Sequence, residues 1–546
     1  MIAVTLDLAP PRYNPRMKIV IAEKISPAAV ELFRDEDGWS LVTPEQIEGK
    51  LSAHLVDADA LIVRSAVKVD ARVLAPATKL RVIGRAGVGV DNIDLEAATK
   101  KGIAVMNTPG ANAVAVAEHT LGLMLAMARH LCRADALMHA GQWEKKTLQG
   151  TELRGKTLGI VGLGRVGLEV AKRARAFHMT VVAHDPFVST SVARDLEIRM
   201  ASLDEIYATA DYITLHVGLT PQTTGMINAD TIKKMKRGVR LVNCARGELV
   251  DEAALAQGLK SGQVAAAALD VFSDEPPKGS PLASLENVVM SPHIAGSTHE
   301  AQEAVGYQIA LQVKEYLKHG VIQNAVNIPS VSHEEYLEMH PYIVLAERLG
   351  SFLAQATDGN AEEVAVRYSG PMAEWKTELL RNAALKGIIN HMLSEHANLV
   401  NAAAIAGERG IKVRESKKPR PSSGGAANVL SVSLRTTTEE HRVRGTVLHE
   451  KLPRLLGVDD IDVEAPLERN LVYMRNLDVP GVIGKIGTIL GNHHINIANF
   501  SLGRQEKVSG TAEAIAVVLV DSRVPEAVLE ELRKVEAVKV ARAMQL

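Results

Sequence analysis

LGIVGLGRVG, residues 158–167, is an apolar run that ends in three glycines at the spacing GxGxxG. Residues 158–161 read as a buried strand, and EVAKRARAF directly after the motif reads as a helix. Between them Gly162 permits a tight turn, and Gly164 lets a pyrophosphate approach the backbone. Gly167 lets the helix pack close to the strand, with Arg165 and Val166 completing the turn. The helix N-terminus then offers free N–H groups and a partial positive charge to phosphates. Asp185 ends the next strand, 18 residues after Gly167. A carboxylate there bonds both ribose hydroxyls and repels a 2′-phosphate, so the expected cofactor is NAD rather than NADP. GRAGVGVDNID, with Gly84, Gly87 and Gly89, lacks this spacing and reads as a turn close to ligand, not as a second nucleotide site.

Outward from the motif, TVVAHD, YITLHV, RLVNCARG, AALDVF and NVVMSPH follow as strands separated by helical patterns, as parallel βαβ units require. Upstream, from Met17, KIVIAE, ALIVRS, LRVIGRAG and IAVMNTPG alternate with helical stretches, and a long helix is expected over 114–139. After the second strand series, the helix 298–319 and HGVIQNAVNIP return to the first unit. Residues 331–466 mix helix and strand patterns, and 414–428, RESKKPRPSSGGAAN, reads as an exposed connector. The final unit, 470–546, orders its elements β-α-β-β-α-β, a ferredoxin-like arrangement, with Val482, Ile483, Ile486, Ile489 and Leu490 on one helix face. The fold class is α/β. A Rossmann-type domain at 113–297 is inserted in a flavodoxin-like domain made of 17–112 and 298–330. An α+β domain, 331–466, and the ferredoxin-like domain, 470–546, follow.

The 546 residues suggest three to four domains at about 150 residues each. Lys+Arg number 62 against Asp+Glu 64, a net charge of −2, which argues against a nucleic-acid partner because such affinity comes mainly from neutralising phosphates. A composition 47% hydrophobic and 23% charged excludes the disordered class. With only Cys132 and Cys244 there is neither a disulfide framework nor a thiolate metal cage, and a reducing, cytoplasmic setting is expected. The most apolar stretch, 121–128, is far shorter than the ~20 residues a bilayer needs, so no membrane partner is expected. MIAVTLDLAPPRYNPR at the start lacks the basic and apolar regions of a secretory signal and reads as a short tail.

In an open α/β sheet, ligands bind at the carboxyl ends of the strands. Three strands after the nucleotide motif end in residues suited to chemistry: Arg246, Glu275 and His293. Arginine offers a planar fork for a carboxylate and polarises a neighbouring carbonyl. Histidine takes or returns a hydroxyl proton near neutral pH, and a neighbouring carboxylate holds the imidazole in one orientation. Beside a nicotinamide, this set describes oxidation of a 2-hydroxy acid to a 2-oxo acid. A serine hydrolase would show a G-x-S-x-G elbow, which is not found. A zinc enzyme would show His or Cys at ligand spacing, whereas the adjacent pair His493-His494 sits in the terminal unit; no metal is expected.

GLGRVG, NCARG, DVFSDEPP, SPHIAGST and NTPGANAVAVAEH together resemble the D-isomer-specific 2-hydroxyacid dehydrogenase family, in a long form with two extra C-terminal domains. The resemblance implies a catalytic trio of Arg246, Glu275 and His293, and contact of Asp270 with the nicotinamide carboxamide. It implies substrate contacts from Arg64, Ser65 and Arg85, with Lys145 and Lys146 as further basic candidates acting across a subunit boundary. It also implies NAD-dependent oxidation of 3-phospho-D-glycerate to 3-phosphohydroxypyruvate, the entry to L-serine biosynthesis, by a homo-oligomer, a tetramer. The terminal unit looks like an ACT regulatory domain. By that resemblance Asp478 and Asn496 would bind an L-serine effector. Alternatives are another D-2-hydroxyacid dehydrogenase acting on glycerate, hydroxypyruvate or 2-oxoglutarate, and an NAD-sensing binding protein. Glu248 stands where the family commonly has glycine, and Gly218 and Val217 replace a usual proline and a hydroxyl residue beside the cofactor pocket.

Overall fold

The computed structural model describes residues 16–188, 193, 197–329, 331, 333–393, 396–420, 427–505 and 512–546. The tail read over the first sixteen residues lies outside these except for Arg16, as does 421–426 of the expected connector.

Two parallel sheets lie behind the two strand series. The first has five strands in the spatial order Ser40–Val42, Lys18–Ile21, Ala60–Val63, Val82–Arg85, Ala104–Met106. Its strands are almost wholly apolar, as burial of both sheet faces under helices requires. The helix His299–His319 returns to this sheet. A Cβ at Gly84 would stand 2.8 Å from Ile309 Cγ1 and Val313 Cγ2, so only glycine lets the helix come this close. Gly320, in the left-handed region, ends the helix, and the segment beyond it ties to the edge strand through Val326 N–H to the Val105 carbonyl at 2.8 Å.

The second sheet has seven parallel strands. Thr157–Val161 lies between Thr180–His184 on one side and Tyr212–Leu215 on the other. Val239–Asn243, Val264–Leu269 and Val288–Met290 continue outward from the latter. Strand order reverses between Thr157–Val161 and Tyr212–Leu215, and the crevice beyond their carboxyl ends is where such a sheet receives a ligand.

The remaining sheets are a six-stranded mixed one and a four-stranded antiparallel one. The four-stranded sheet orders its strands Ile497–Arg504, Glu513–Val520, Asn470–Leu477, Val538–Gln545, with the helices Val482–Asn492 and Glu526–Arg533 contributing to a common core.

Three expectations change. The single helix over 114–139 is two, Ala113–Ala128 and Leu131–His139, because His130 adopts a left-handed backbone (φ 53°) that ends the first. The connector begins as a strand, Lys412–Lys418, pairing in parallel with Ala361–Ser369 at the sheet edge. Its charged, exposed side chains suit an unpaired edge and hide the strand from periodicity. In the helix Val482–Asn492, Ile483 is exposed while Val482, Ile486, Ile489 and Leu490 are buried.

Candidate active site

The two parallel sheets meet at a cleft of about 580 Å³. Arg64, Ser65, Arg85 and Asp91 line it from the first sheet's side, and Arg246, Glu275 and His293 from the second's. The three strand-end residues, separated by up to 47 positions, thus share one cavity.

Each is held by its own turn. Asn243 bonds the Ala245 amide at 3.0 Å and the Arg246 carbonyl at 2.7 Å, closing the loop that presents Arg246. Gly247 follows because a Cβ there would overlap the Phe272 carbonyl, so the Arg246 loop lies directly on the loop that carries Glu275. Glu275 accepts the Phe272 amide at 3.2 Å on Oε1 and meets His293 Nδ1 at 2.7 Å through Oε2. With Glu275 ionised, Nδ1 carries the hydrogen and Nε2 is the acceptor. The His293 backbone sits in the left-handed region (φ 52°), a conformation of appreciable cost for a residue with a side chain.

Asp270 secures that backbone. Its side chain has 0% exposure and accepts from Ser291 Oγ at 2.6 Å and from the amides of Ile294 and Ala295 at 2.9 and 2.8 Å. Burial opposes its charge. The bonds from His119, Ser291 and the two amides outweigh it and hold the carboxyl below the usual range. His119, whose Nε2 lies 3.0 Å from Ser291 Oγ, was not anticipated; nor was Gln302, which bonds the Gly296 carbonyl at 2.9 Å. The His119 contact spans 172 residues and carries no local sequence signal.

The nucleotide turn has the form its glycines require. Gly162 has φ 96°, and a Cβ at Gly167 would overlap the Gly162 carbonyl oxygen. A Cβ at Gly164 would meet nothing within 4 Å, so the space before the turn is open to a pyrophosphate. Asp185 accepts the Leu163 amide on Oδ2 and the Phe187 amide on Oδ1, both at 2.8 Å, and stands beside that space. These residues fit NAD. Arg165 bonds the Pro109 carbonyl across the joint between the two units, and Val166 is half-buried beneath the turn. Val217 packs at the turn, where its Cγ1 would lie 2.9 Å from a Cβ on Gly162. Glu248 lines the cleft, and the Gly218 carbonyl accepts from Thr223 Oγ1 at 2.8 Å.

Comparison with known proteins gives this architecture a lineage. Residues 121–295 match the D-isomer specific 2-hydroxyacid dehydrogenase NAD binding domain, 338–459 the D-3-phosphoglycerate dehydrogenase intervening domain, and 471–537 the ACT domain. A D-3-phosphoglycerate dehydrogenase of Methanocaldococcus jannaschii is 41% identical over 96% of this chain and 98% of its own. One of Bacillus subtilis is 37% identical over 95% and 97%. The chain belongs to the D-3-phosphoglycerate dehydrogenase family. Among solved structures, a glyoxylate reductase from Paecilomyes thermophila superposes with a TM-score of 0.52 at 30% identity, covering 57% of this chain and 98% of that one. A D-lactate dehydrogenase from Aquifex aeolicus, complexed with NAD and lactic acid, gives 0.50 at 30% identity, covering 57% and 100%.

This dehydrogenase gathers three arginines in its cleft. Arg64 donates to the Lys24 carbonyl at 3.2 Å, and Ser65 is exposed beside it. Arg85 is the least satisfied: Nη1 reaches the Ala86 carbonyl at 3.3 Å, and Nε is buried without a partner among the described residues. Burial, and then the charge of Arg246, hold the Arg85 guanidinium below its usual value, the environment of a cation that an anionic ligand would relieve. Lys145 and Lys146 lie on an exposed turn and do not line the cleft.

In the ACT domain of this dehydrogenase, Asp478 lines a cavity of about 400 Å³ with Gly481, Phe500 and Arg504, whose Nε is 3.5 Å away. Asn496 does not share that cavity: its Nδ2 donates to Asp521 at 2.6 Å. Within a single chain Asp478 and Asn496 thus face different surroundings.

Proposed function

We infer that this dehydrogenase oxidises 3-phospho-D-glycerate to 3-phosphohydroxypyruvate with NAD, the step that opens L-serine biosynthesis. The observation that carries the assignment of roles is the 2.7 Å contact of His293 Nδ1 with Glu275 in a cleft that also holds Arg246. His293 Nε2 removes the C2 hydroxyl proton, and Glu275 keeps the imidazole in the tautomer that makes Nε2 basic and supports the imidazolium that forms. Arg246 grips the carboxylate and polarises the developing carbonyl. NAD, when bound, supplies the hydride acceptor. Gly162, Gly164, Arg165, Val166 and Gly167 seat its pyrophosphate, and Asp185 its ribose. Arg64, Ser65 and Arg85 receive the 3-phosphate.

The domain limits we propose are 17–112 with 298–330, 113–297, 331–466 and 470–546. The ACT domain points to a small-molecule effector. We propose L-serine, bound by Asp478 of one chain together with Asn496 of a second, in a homotetramer. Cys132 and Cys244 are both free, which fits a cytoplasmic setting. Among the described residues no helix is long and apolar enough to cross a membrane.

NADH formation with 3-phosphoglycerate, and with unphosphorylated D-glycerate alongside, tests the assignment. A strong preference for the phosphorylated acid is expected; equal rates would remove the phosphate role from Arg64, Ser65 and Arg85. Addition of L-serine tests the effector: a lowered rate supports Asp478 and Asn496, and an unchanged rate at millimolar serine refutes them.

A further inference from the structure

Arg246 is held from the opposite wall of the cleft. Its Nε donates to Asp91 Oδ2 at 3.1 Å, and Nη1 to its own Ala245 carbonyl at 2.7 Å. Asp91 lies 155 residues earlier, beyond the strand Val82–Arg85 of the first sheet. The guanidinium reaches it by entering a notch at Gly89, where a Cβ would overlap Nη2. The loop bearing Asp91 is itself anchored. Asn92 Nδ2 bonds the carbonyls of Arg64 and Val67 at 2.9 and 2.7 Å, and Asp94 caps the helix Leu95–Lys100.

We propose that Asp91 is a positioning residue for the reaction: by holding Nε of Arg246 across the cleft, it aims the guanidinium's terminal nitrogens at the substrate carboxylate. This rests on the reading of Arg246 as the carboxylate ligand. A guanidinium has five N–H groups. Asp91 and the Ala245 carbonyl engage two, leaving Nη2 and one N–H of Nη1 for a two-point grip. The same carboxylate offsets the positive charge that Arg246 and Arg85 bring together; without it the two cations repel across the notch. Because Asp91 and Arg246 sit on loops that follow strands of different sheets, the grip is complete only when the two walls of the cleft stand together.

The test is steady-state kinetics of the full-length enzyme carrying Asp91→Ala, Asp91→Glu, Arg246→Lys or the pair Asp91→Ala with Arg246→Lys. Asp91→Ala is expected to raise KM for 3-phosphoglycerate about tenfold, equivalent to about 1.4 kcal/mol. The loss in kcat should be smaller, and the affinity for NADH, read by fluorescence, unchanged. Asp91→Glu should recover part of the loss, and Asp91→Ala should add little to Arg246→Lys, because residues acting as one unit are not additive. An unchanged or lowered KM in Asp91→Ala, or full additivity in the double variant, overturns the proposal. If Arg246→Lys alone leaves KM and kcat intact, the assignment of Arg246 fails with it. If Arg246→Lys is impaired and Asp91→Ala is not, only Asp91 is removed.

Discussion

Two histidine–carboxylate pairs in this molecule share a geometry and differ in surroundings. His293 Nδ1 lies 2.7 Å from Glu275 at the cleft, and His441 Nδ1 lies 2.9 Å from Asp459 in the mixed sheet. The His293 side chain is 52% exposed and Nε2 has no protein partner among the described residues, so that nitrogen is available to a substrate. The His441 side chain is 17% exposed, and its Nε2 is capped by Glu439 at 3.3 Å. Asp459 also faces Arg475 at 3.5 Å, on the strand Asn470–Leu477, so the second pair ties the mixed sheet to the terminal one. The same couple is open to serve as a base where one ring nitrogen is left free, and is a structural tie where both are closed.

The largest effect that would test this contrast is on chemistry. His293→Asn is expected to lower kcat by about 10²–10⁴-fold, with NADH binding retained. A loss below threefold would end the distinction between the pairs. Glu275→Gln keeps an acceptor for the Phe272 amide and removes the charge. Its kcat should fall about ten- to a hundredfold, or about 1.4–2.7 kcal/mol of transition-state stabilisation, measured beside an unchanged affinity for NADH. Gly247→Ala would push the Arg246 loop off the Glu275 loop. A destabilisation of about 1–3 kcal/mol in denaturant unfolding, with reduced kcat, is the expected outcome.

The smallest effect belongs to His441. Its hydrogen bond with Asp459 favours the imidazolium, burial opposes it, and the Asp459 and Glu439 charges carry the net value above the usual range. A histidine whose folded value is raised contributes stability that is complete below its unfolded value, about 6.5, and lost as pH rises through the folded one. His441→Gln should therefore destabilise by about 1–3 kcal/mol at pH 6 and by less at pH 9, while kcat stays near that of the wild type. Thermal unfolding at the two pH values checks the sign. Equal losses at both would show that the ring acts by packing alone.

Most of the catalytic half was legible along the chain because its signals are local. Glycine spacing, a strand before it, a helix after it and an acidic residue at the next strand end all follow from backbone sterics and helix electrostatics. Arg246, Glu275 and His293 were readable because parallel strands of one handedness deliver their carboxyl ends to one side of the sheet. Less of the rest was legible. The strand Lys412–Lys418 is charged throughout, and periodicity has nothing to register in it. The break at His130 is a single left-handed residue among helix formers.

The sequence by itself determined the parallel sheets, the nucleotide turn, the NAD cofactor and the delivery of Arg246, Glu275 and His293 to neighbouring strand ends. These depend on residue type and short-range spacing. Only the tertiary structure decided that Asp270 is buried beneath the loop that carries His293. It also decided that Asn496 bonds Asp521 away from Asp478, and that Asp91 meets Arg246 from 155 residues away. A carboxylate's role depends on which donors surround it and how much water they exclude. Those are set by packing between elements that the chain keeps far apart.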